Sequence, residues 1–215
     1  MSTCLIENYV MTFKDHPGEY AIVFYTNPQL CNLNCYKCHN KLKSKSKSFK
    51  FISENEFRDK LRKAKMLGSS LVIICGGEPT LVNFNELVKV LQIIKEFGFK
   101  VRLDSNGQNL EVIKKLVLEK LVDGFAIDVK IPLSVYKEHY SLILFSEAGK
   151  EDKVKLYQKN LKETLRFLSC FSLPYTLLRT VKYPLFDNED LFLIKQDILK
   201  FNLKHYINEF VDLEE

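Results

Sequence analysis

The chain has 215 residues and 25.1 kDa, 46% of its residues hydrophobic and 27% charged, a balance that supports an ordinary globular core and excludes disordered and collagen-like classes. Lys and Arg number 32 against 27 Asp and Glu, so the formal charge is +5, which suits an acidic partner without requiring one. No apolar run reaches the ~18 residues of a membrane span, and the stretch Met1 to Tyr9 lacks the basic start and apolar core of a secretion signal. A cytoplasmic setting with reduced cysteines is therefore expected, in which clustered cysteines read as metal-binding or catalytic.

In chain order, the apolar run Ala21 to Phe24 predicts a first buried strand. Cys31, Cys35 and Cys38 follow within eight residues, whereas Cys4, Cys75 and Cys170 stand apart and read as small buried hydrophobes. Residues 41–50 contain five lysines and predict a solvated basic loop, with a second reading as an electrostatic handle for an acidic partner. Ser53 with Glu56 forms a capping box, and Phe57, Leu61 and Ala64 continue as a helix that Gly68 stops. Leu71 to Ile74 predicts a second strand. Asn83 and Glu86 open a helix with Phe84, Leu87, Val88, Leu91 and Ile94 on one face and Gly98 beyond its end. Lys100 to Leu103 predicts a third strand, Asn109 to Lys120 a helix, and Gly124 to Ile127 a fourth strand. Residues 131–153, with Pro132 and Gly149, read as irregular. Val154, Tyr157, Leu161, Leu165 and Leu168 mark a long helix, Tyr175 to Leu178 a fifth strand, Leu191, Ile194 and Ile198 a helix, and Tyr206 to Phe210 a sixth strand.

Strands alternating with helices predict an α/β fold with a parallel sheet built from βαβ units. Six units are too few to close an eightfold barrel, so a partial (βα)6 barrel in one domain over residues 1–215 is expected. Polar punctuation recurs at the strands' carboxyl ends: the three cysteines, Gly76-Gly-Glu-Pro-Thr80, Asp104-Ser-Asn-Gly107, Asp128-Val-Lys130, Arg179, and Asn208 with Glu209. In a parallel architecture those ends converge on one face, where sites are built.

Three thiolates could bind zinc with His39 as fourth ligand, but adjacent ligands seldom reach one tetrahedral ion. Three thiolates on a cube of four irons and four sulfides would leave one iron open to a small molecule, whereas most electron-transfer clusters use four cysteines. The run Cys31-Asn-Leu-Asn-Cys35-Tyr-Lys-Cys38 resembles the C-x3-C-x2-C signature of the radical S-adenosylmethionine (SAM) superfamily, and Gly-Gly-Glu-Pro after the second strand strengthens the likeness. The resemblance implies a [4Fe–4S] cluster on Cys31, Cys35 and Cys38, its unique iron chelated by the amino and carboxylate groups of SAM. It also implies reductive cleavage of the sulfonium to methionine and a 5′-deoxyadenosyl radical. In this reading Gly76 and Gly77 let backbone approach the ligand, Glu78 accepts from its amino group, and Asp104, Ser105 and Asn106 serve ribose hydroxyls or the carboxylate end.

Asp15-His-Pro-Gly18, Cys38-His-Asn40, Asp128-Val-Lys130 and the lack of a second cluster resemble the glycyl radical enzyme activases, most of all those of anaerobic ribonucleoside-triphosphate reductase. That resemblance implies Asp128 and Lys130 against SAM, with Arg179 matching an arginine near the fifth strand's end. It also implies a glycyl radical enzyme as partner, a flavodoxin- or ferredoxin-type reductant, and hydrogen abstraction from a glycine α-carbon. The 41–50 loop is then a docking element. Lys37 stands where an aromatic residue is usual, and Leu30 where a glycine is, which leaves the adenine contacts and the loop geometry open. The alternative is a small-molecule enzyme such as a 7-carboxy-7-deazaguanine synthase. A nucleic-acid-binding metal module is disfavoured, because the lysine stretch contains only one aromatic residue, Phe49.

Overall fold

A computed structural model describes residues 2–42 and 48–212, so residues 43–47 of the predicted basic loop lie outside the described residues. The elements run β1 (Ser2–Thr12), β2 (Ala21–Thr26), α1 (His39–Leu42), β3 (Phe51–Ser53), α2 (Glu54–Met66), β4 (Leu71–Cys75), α3 (Phe84–Glu96) and β5 (Lys100–Ser105). They continue with α4 (Leu110–Leu118), β6 (Gly124–Asp128), α5 (His139–Phe145), α6 (Glu151–Ser169), β7 (Leu177–Lys182), α7 (Asp190–Leu199) and β8 (His205–Glu209). One sheet has the order β3-β1-β2-β4-β5-β6-β7-β8, and β2 through β8 along that order are parallel. This is an open α/β sheet, the partial barrel that the six βα units imply. No helix among the described residues is long and apolar enough to cross a membrane.

Alternation along each parallel strand sorts two faces. Ile22, Phe24, Val72, Ile74, Val101, Leu103, Phe125, Ile127 and Leu178 point outward into the main core, under the helices. Each such side chain contributes roughly 1.5–3 kcal/mol by leaving water. The inner face begins apolar, with Ala21, Val23, Leu71 and Ile73, and becomes charged across β5 to β7, where Arg102, Asp104, Asp128 and Arg179 stand.

Four elements differ from expectation. β1 pairs antiparallel with β2, and a register shift between Leu5 and Tyr9 breaks the twofold alternation that would have announced it. The short β3 pairs antiparallel with β1 at the sheet's edge. The segment read as irregular contains α5, and the fifth strand starts two residues late, at Leu177, because Thr176 N–H bonds Leu173 C=O in a turn. Locally encoded features appear as expected: Ser53 Oγ accepts from Glu56 N–H at 3.3 Å, and Glu56 Oε2 accepts from Ser53 N–H at 3.0 Å.

Candidate functional site

Chain entering from β2 must turn at once to place three cysteines, and two neighbours hold it. Glu78 N–H bonds Leu30 C=O at 2.7 Å, fixing the loop to the turn after β4. On the other side, Asn34 N–H bonds Leu144 C=O at 3.0 Å and Tyr36 N–H bonds Ile143 C=O at 2.9 Å, so the last turn of α5 satisfies its free carbonyls with the cysteine loop. α5 is itself anchored by the fully buried Asp190, which accepts from Tyr140 Oη at 2.6 Å, His139 Nε2 at 2.7 Å, Lys137 Nζ at 3.2 Å and Asp187 N–H at 3.0 Å. His139, Asp187 and Asp190 bring ligand atoms within 4.8 Å of one another, but the Lys137 ammonium supplies the positive charge there.

The Gly-Gly-Glu turn is a structural joint. A Cβ on Gly77 would lie 2.3 Å from Asn27 O and 2.4 Å from Leu30 O, and one on Gly76 would lie 2.6 Å from Thr26 O. Gly76 therefore admits the end of β2 and Gly77 the start of the cysteine loop, while both also line the cavity. Gly77→Ala is expected to cost ~1–3 kcal/mol in urea unfolding, since neither side of the clash is a side chain that can rotate away. Glu78 is held by its neighbours on both turns. Its Oε1 accepts from Thr80 N–H (3.1 Å), Thr80 Oγ1 (2.7 Å) and Ser105 Oγ (2.8 Å), and its Oε2 from Asn106 N–H (2.7 Å). Four donors thus tie the second turn to the third through this carboxylate, while its Oε2, with a single donor, keeps a lone pair. Burial raises its pKa against those donors. Glu78→Gln places an amide N–H2 among hydrogen-bond donors and is expected to lower stability by ~1–3 kcal/mol, measured as a shift in urea midpoint.

Asn106 completes the joint by donating from Nδ2 to Asn32 Oδ1 at 2.7 Å, while Asn40 Nδ2 donates to Gly76 C=O at 2.5 Å. Below the joint runs a row of alternating charge. Arg102, fully buried, donates to Asp104 (2.9 Å), Asp15 C=O (2.7 Å) and His16 Nδ1 (3.1 Å). Arg179 bridges Asp104 (2.7 Å) and Asp128 (3.0 Å), and Lys130 Nζ closes the row on Asp128 at 3.0 Å. Burial alone would raise Asp128, but Lys130 and Arg179 outweigh it and hold the carboxyl below its ordinary range. Burial opposes the charge on Lys130, yet Asp128 keeps it protonated. With three cations against two carboxylates, the row retains positive charge at its Lys130 end.

One cavity is lined by Cys31, Cys35, Cys38, Gly76, Gly77, Glu78, Asp104, Ser105, Asn106, Asp128, Lys130 and Arg179, which is every site residue expected from sequence. The sixth polar signature is not brought in: Asn208 and Glu209 are exposed on β8, away from this cavity. Lys41 turns to the cysteine loop, donating to Leu33 C=O at 2.6 Å, and Lys50 pairs with Glu7, so the basic loop's described lysines have local partners. His39 donates from Nε2 to Val211 C=O and stays in the loop's cover. Lys37 adopts a left-handed φ of +41° and pairs with Asp212. Cys4 is buried as expected, but Cys170 is exposed, because it caps α6 beyond the last buried turn. Arg102, Asn32 and the α5 carbonyls are contributors that sequence reasoning missed. Only Arg102 left a signal, a charge within an otherwise apolar strand.

The donor set is three thiols, Cys31, Cys35 and Cys38, facing one cavity. Three soft thiolates in one cavity fit an iron–sulfur cube with one iron left open. Burial pushes the Cys35 thiol up to about 12 and raises Cys31 as well, values that a bound metal would reverse. Lys130 and Arg179, in the same cavity, fit a carboxylate ligand.

A parallel α/β sheet with a cysteine triad and a cationic row at its carboxyl edge defines a metal-cluster enzyme class. The pattern of the Radical SAM superfamily matches residues 28–143, and the chain belongs to that superfamily, whose cofactors are a [4Fe–4S] cluster and SAM. A Methanocaldococcus jannaschii protein under the provisional name glycyl-radical enzyme activating enzyme is 33% identical over 66% of this chain and 55% of its own length. A Pyrococcus horikoshii protein named as a GTP 3′,8-cyclase is 27% identical over 46% of this chain and 31% of its own. The chain thus spans about half or less of these relatives. The crystal structure of Streptococcus suis SuiB bound to S-adenosylmethionine superimposes with a TM-score of 0.60 at 15% identity, covering 85% of this chain and 39% of that one, a likeness of fold.

Proposed function

We propose that this radical SAM enzyme is an activase that installs a glycyl radical on a partner protein, with anaerobic ribonucleoside-triphosphate reductase as the partner. The observation that carries the reading is the convergence of Asp128, Lys130 and Arg179 on the cavity of the three thiols, together with 33% identity to a protein named as a glycyl-radical activator. When bound, the cluster and SAM supply one-electron reductive cleavage of a sulfonium, and with it an oxidant strong enough for a glycine C–H bond. Cys31, Cys35 and Cys38 hold the cluster. Lys130 and Arg179 orient the SAM carboxylate by charge-assisted hydrogen bonds, and Asp128 fixes both cations in place. Glu78, Ser105 and Asn106 keep the two turns rigid around the ligand. The electron comes from a flavodoxin- or ferredoxin-type reductant, the setting is cytoplasmic, and residues 1–215 act as one catalytic domain.

The test is anaerobic reconstitution with iron and sulfide, followed by SAM, a reductant and the reductase. The reading predicts a glycyl radical signal by EPR, with deoxyadenosine and methionine released in matching amounts. Turnover of a small molecule such as a deazaguanine precursor, with no radical on the reductase, overturns it.

A further inference from the structure

Among the described residues β8 ends the sheet, with no strand on its outer edge. Four of its five residues are exposed, Tyr206 and Ile207 among them, and only His205 is partly buried. Leu178 N–H bonds Lys204 C=O, and the register then aligns Leu178 with His205 through Lys182 with Glu209. In a parallel ladder this turns the backbone groups of Tyr206 and Asn208 toward β7 and those of His205, Ile207 and Glu209 outward. No strand among the described residues pairs with that outward row. The opposite edge is blunted by its length, since β3 has three residues. β8 carries no proline, lysine or register shift that would protect it.

The edge leads to a groove. At the carboxyl ends of β7 and β8, a cavity of about 470 Å³ is lined by Tyr183, Phe186, Leu191 and Phe210 on one hand and by Lys182, Asp187, Asn188 and Glu209 on the other. Phe210 lies 5.9 Å from Tyr36 of the cysteine loop and 6.0 Å from Tyr183, measured between ring centroids, so the groove adjoins the cover of the thiol site. Tyr206 is paired with Arg179, which lines the catalytic cavity. A strand added to β8 would run about 10 Å from the strand that bears Arg179.

We propose that the β8 edge docks an extended segment of the protein substrate, which pairs with His205, Ile207 and Glu209 and seats an apolar side chain in the Tyr183–Phe186–Phe210 groove. The inference rests on the activase reading and specifies how its substrate is held. An open row of backbone donors and acceptors asks for another backbone. Continuity with the cysteine loop favours the substrate polypeptide over a second copy of this chain, because a segment laid here is delivered to the carboxyl-end face.

The experiment uses the reconstituted holoenzyme with anaerobic ribonucleoside-triphosphate reductase as probe. Ile207→Pro removes one outward N–H without touching the β7 ladder, and Ile207→Lys keeps the N–H but places a charge on the edge. Both variants are expected to weaken reductase binding about tenfold and to lower the glycyl radical yield at limiting enzyme. Melting midpoint and reductase-free deoxyadenosine release should match wild type. Wild-type binding and radical yield in both variants overturn the docking assignment alone. So does a wild-type dimer, seen by light scattering, that both variants convert to monomer. A wild type that gives the reductase no radical overturns the activase reading, and the docking assignment falls with it.

Discussion

Alanine at Cys35 is expected to leave a folded chain that holds less than about a tenth of the wild-type iron after reconstitution and releases no 5′-deoxyadenosine. The loop that carries Cys35 is fixed by backbone, through Asn34 and Tyr36 to α5 and through Leu30 to Glu78, so its path survives loss of the thiol. What is lost is one of three sulfur donors, and two thiolates do not retain a cube against solvent and chelation. Cys75 also lines the cavity, but its charged neighbours are Asp104, Arg179, Asp15 and Arg102, those of the inner-face row, whereas Cys35 has Cys38 and Cys31 beside it. Cys75→Ala is accordingly expected to keep its iron and its brown absorbance. Iron and sulfide analysis with a thermal melt on each variant checks the pair. Normal iron in Cys35→Ala, or its loss in Cys75→Ala, would reassign the donor set.

Much of the site was legible because its signals are local. The spacing of Cys31, Cys35 and Cys38 survives any fold, and strand-end punctuation falls on one face once the parallel sheet is inferred. All twelve site residues expected from sequence line a single cavity. Roles were harder to read than positions. Gly77 lines the cavity as expected, but that its Cβ direction faces Asn27 O and Leu30 O of the cysteine loop cannot be read in one dimension. Glu78's partners Ser105 and Asn106, 27 and 28 residues away, leave no trace near it in sequence. The bulged β1 hides its alternation, and α5 is short, lacks a side-chain cap and owes its place to Asp190 some fifty residues later. Such long-range contacts leave no periodic trace in sequence.

Replacing Arg179 with Met should produce the largest loss of stability, ~3 kcal/mol in urea unfolding, because it removes the cation shared by Asp104 and Asp128 and leaves each carboxylate with a single partner, Arg102 or Lys130. Asp104 has a side chain 9% exposed and Asp128 one 30% exposed, so the cost belongs at the lower end for a broken buried network. Arg179→Lys should recover little of it, since one ammonium cannot span Asp104 at 2.7 Å and Asp128 at 3.0 Å as a forked guanidinium does. The pH dependence follows from Asp128. Its folded pKa lies below the ordinary 3.8, so its stabilising contribution is complete above that value and is lost as pH falls through the lower folded value. Without Arg179, burial is opposed by Lys130 alone, the carboxyl titrates at higher pH, and the acid limb of the stability curve moves upward. Urea midpoints taken from pH 3 to 7 on both proteins measure that displacement, and superimposable acid limbs would show that Arg179 does not control the charge on Asp128.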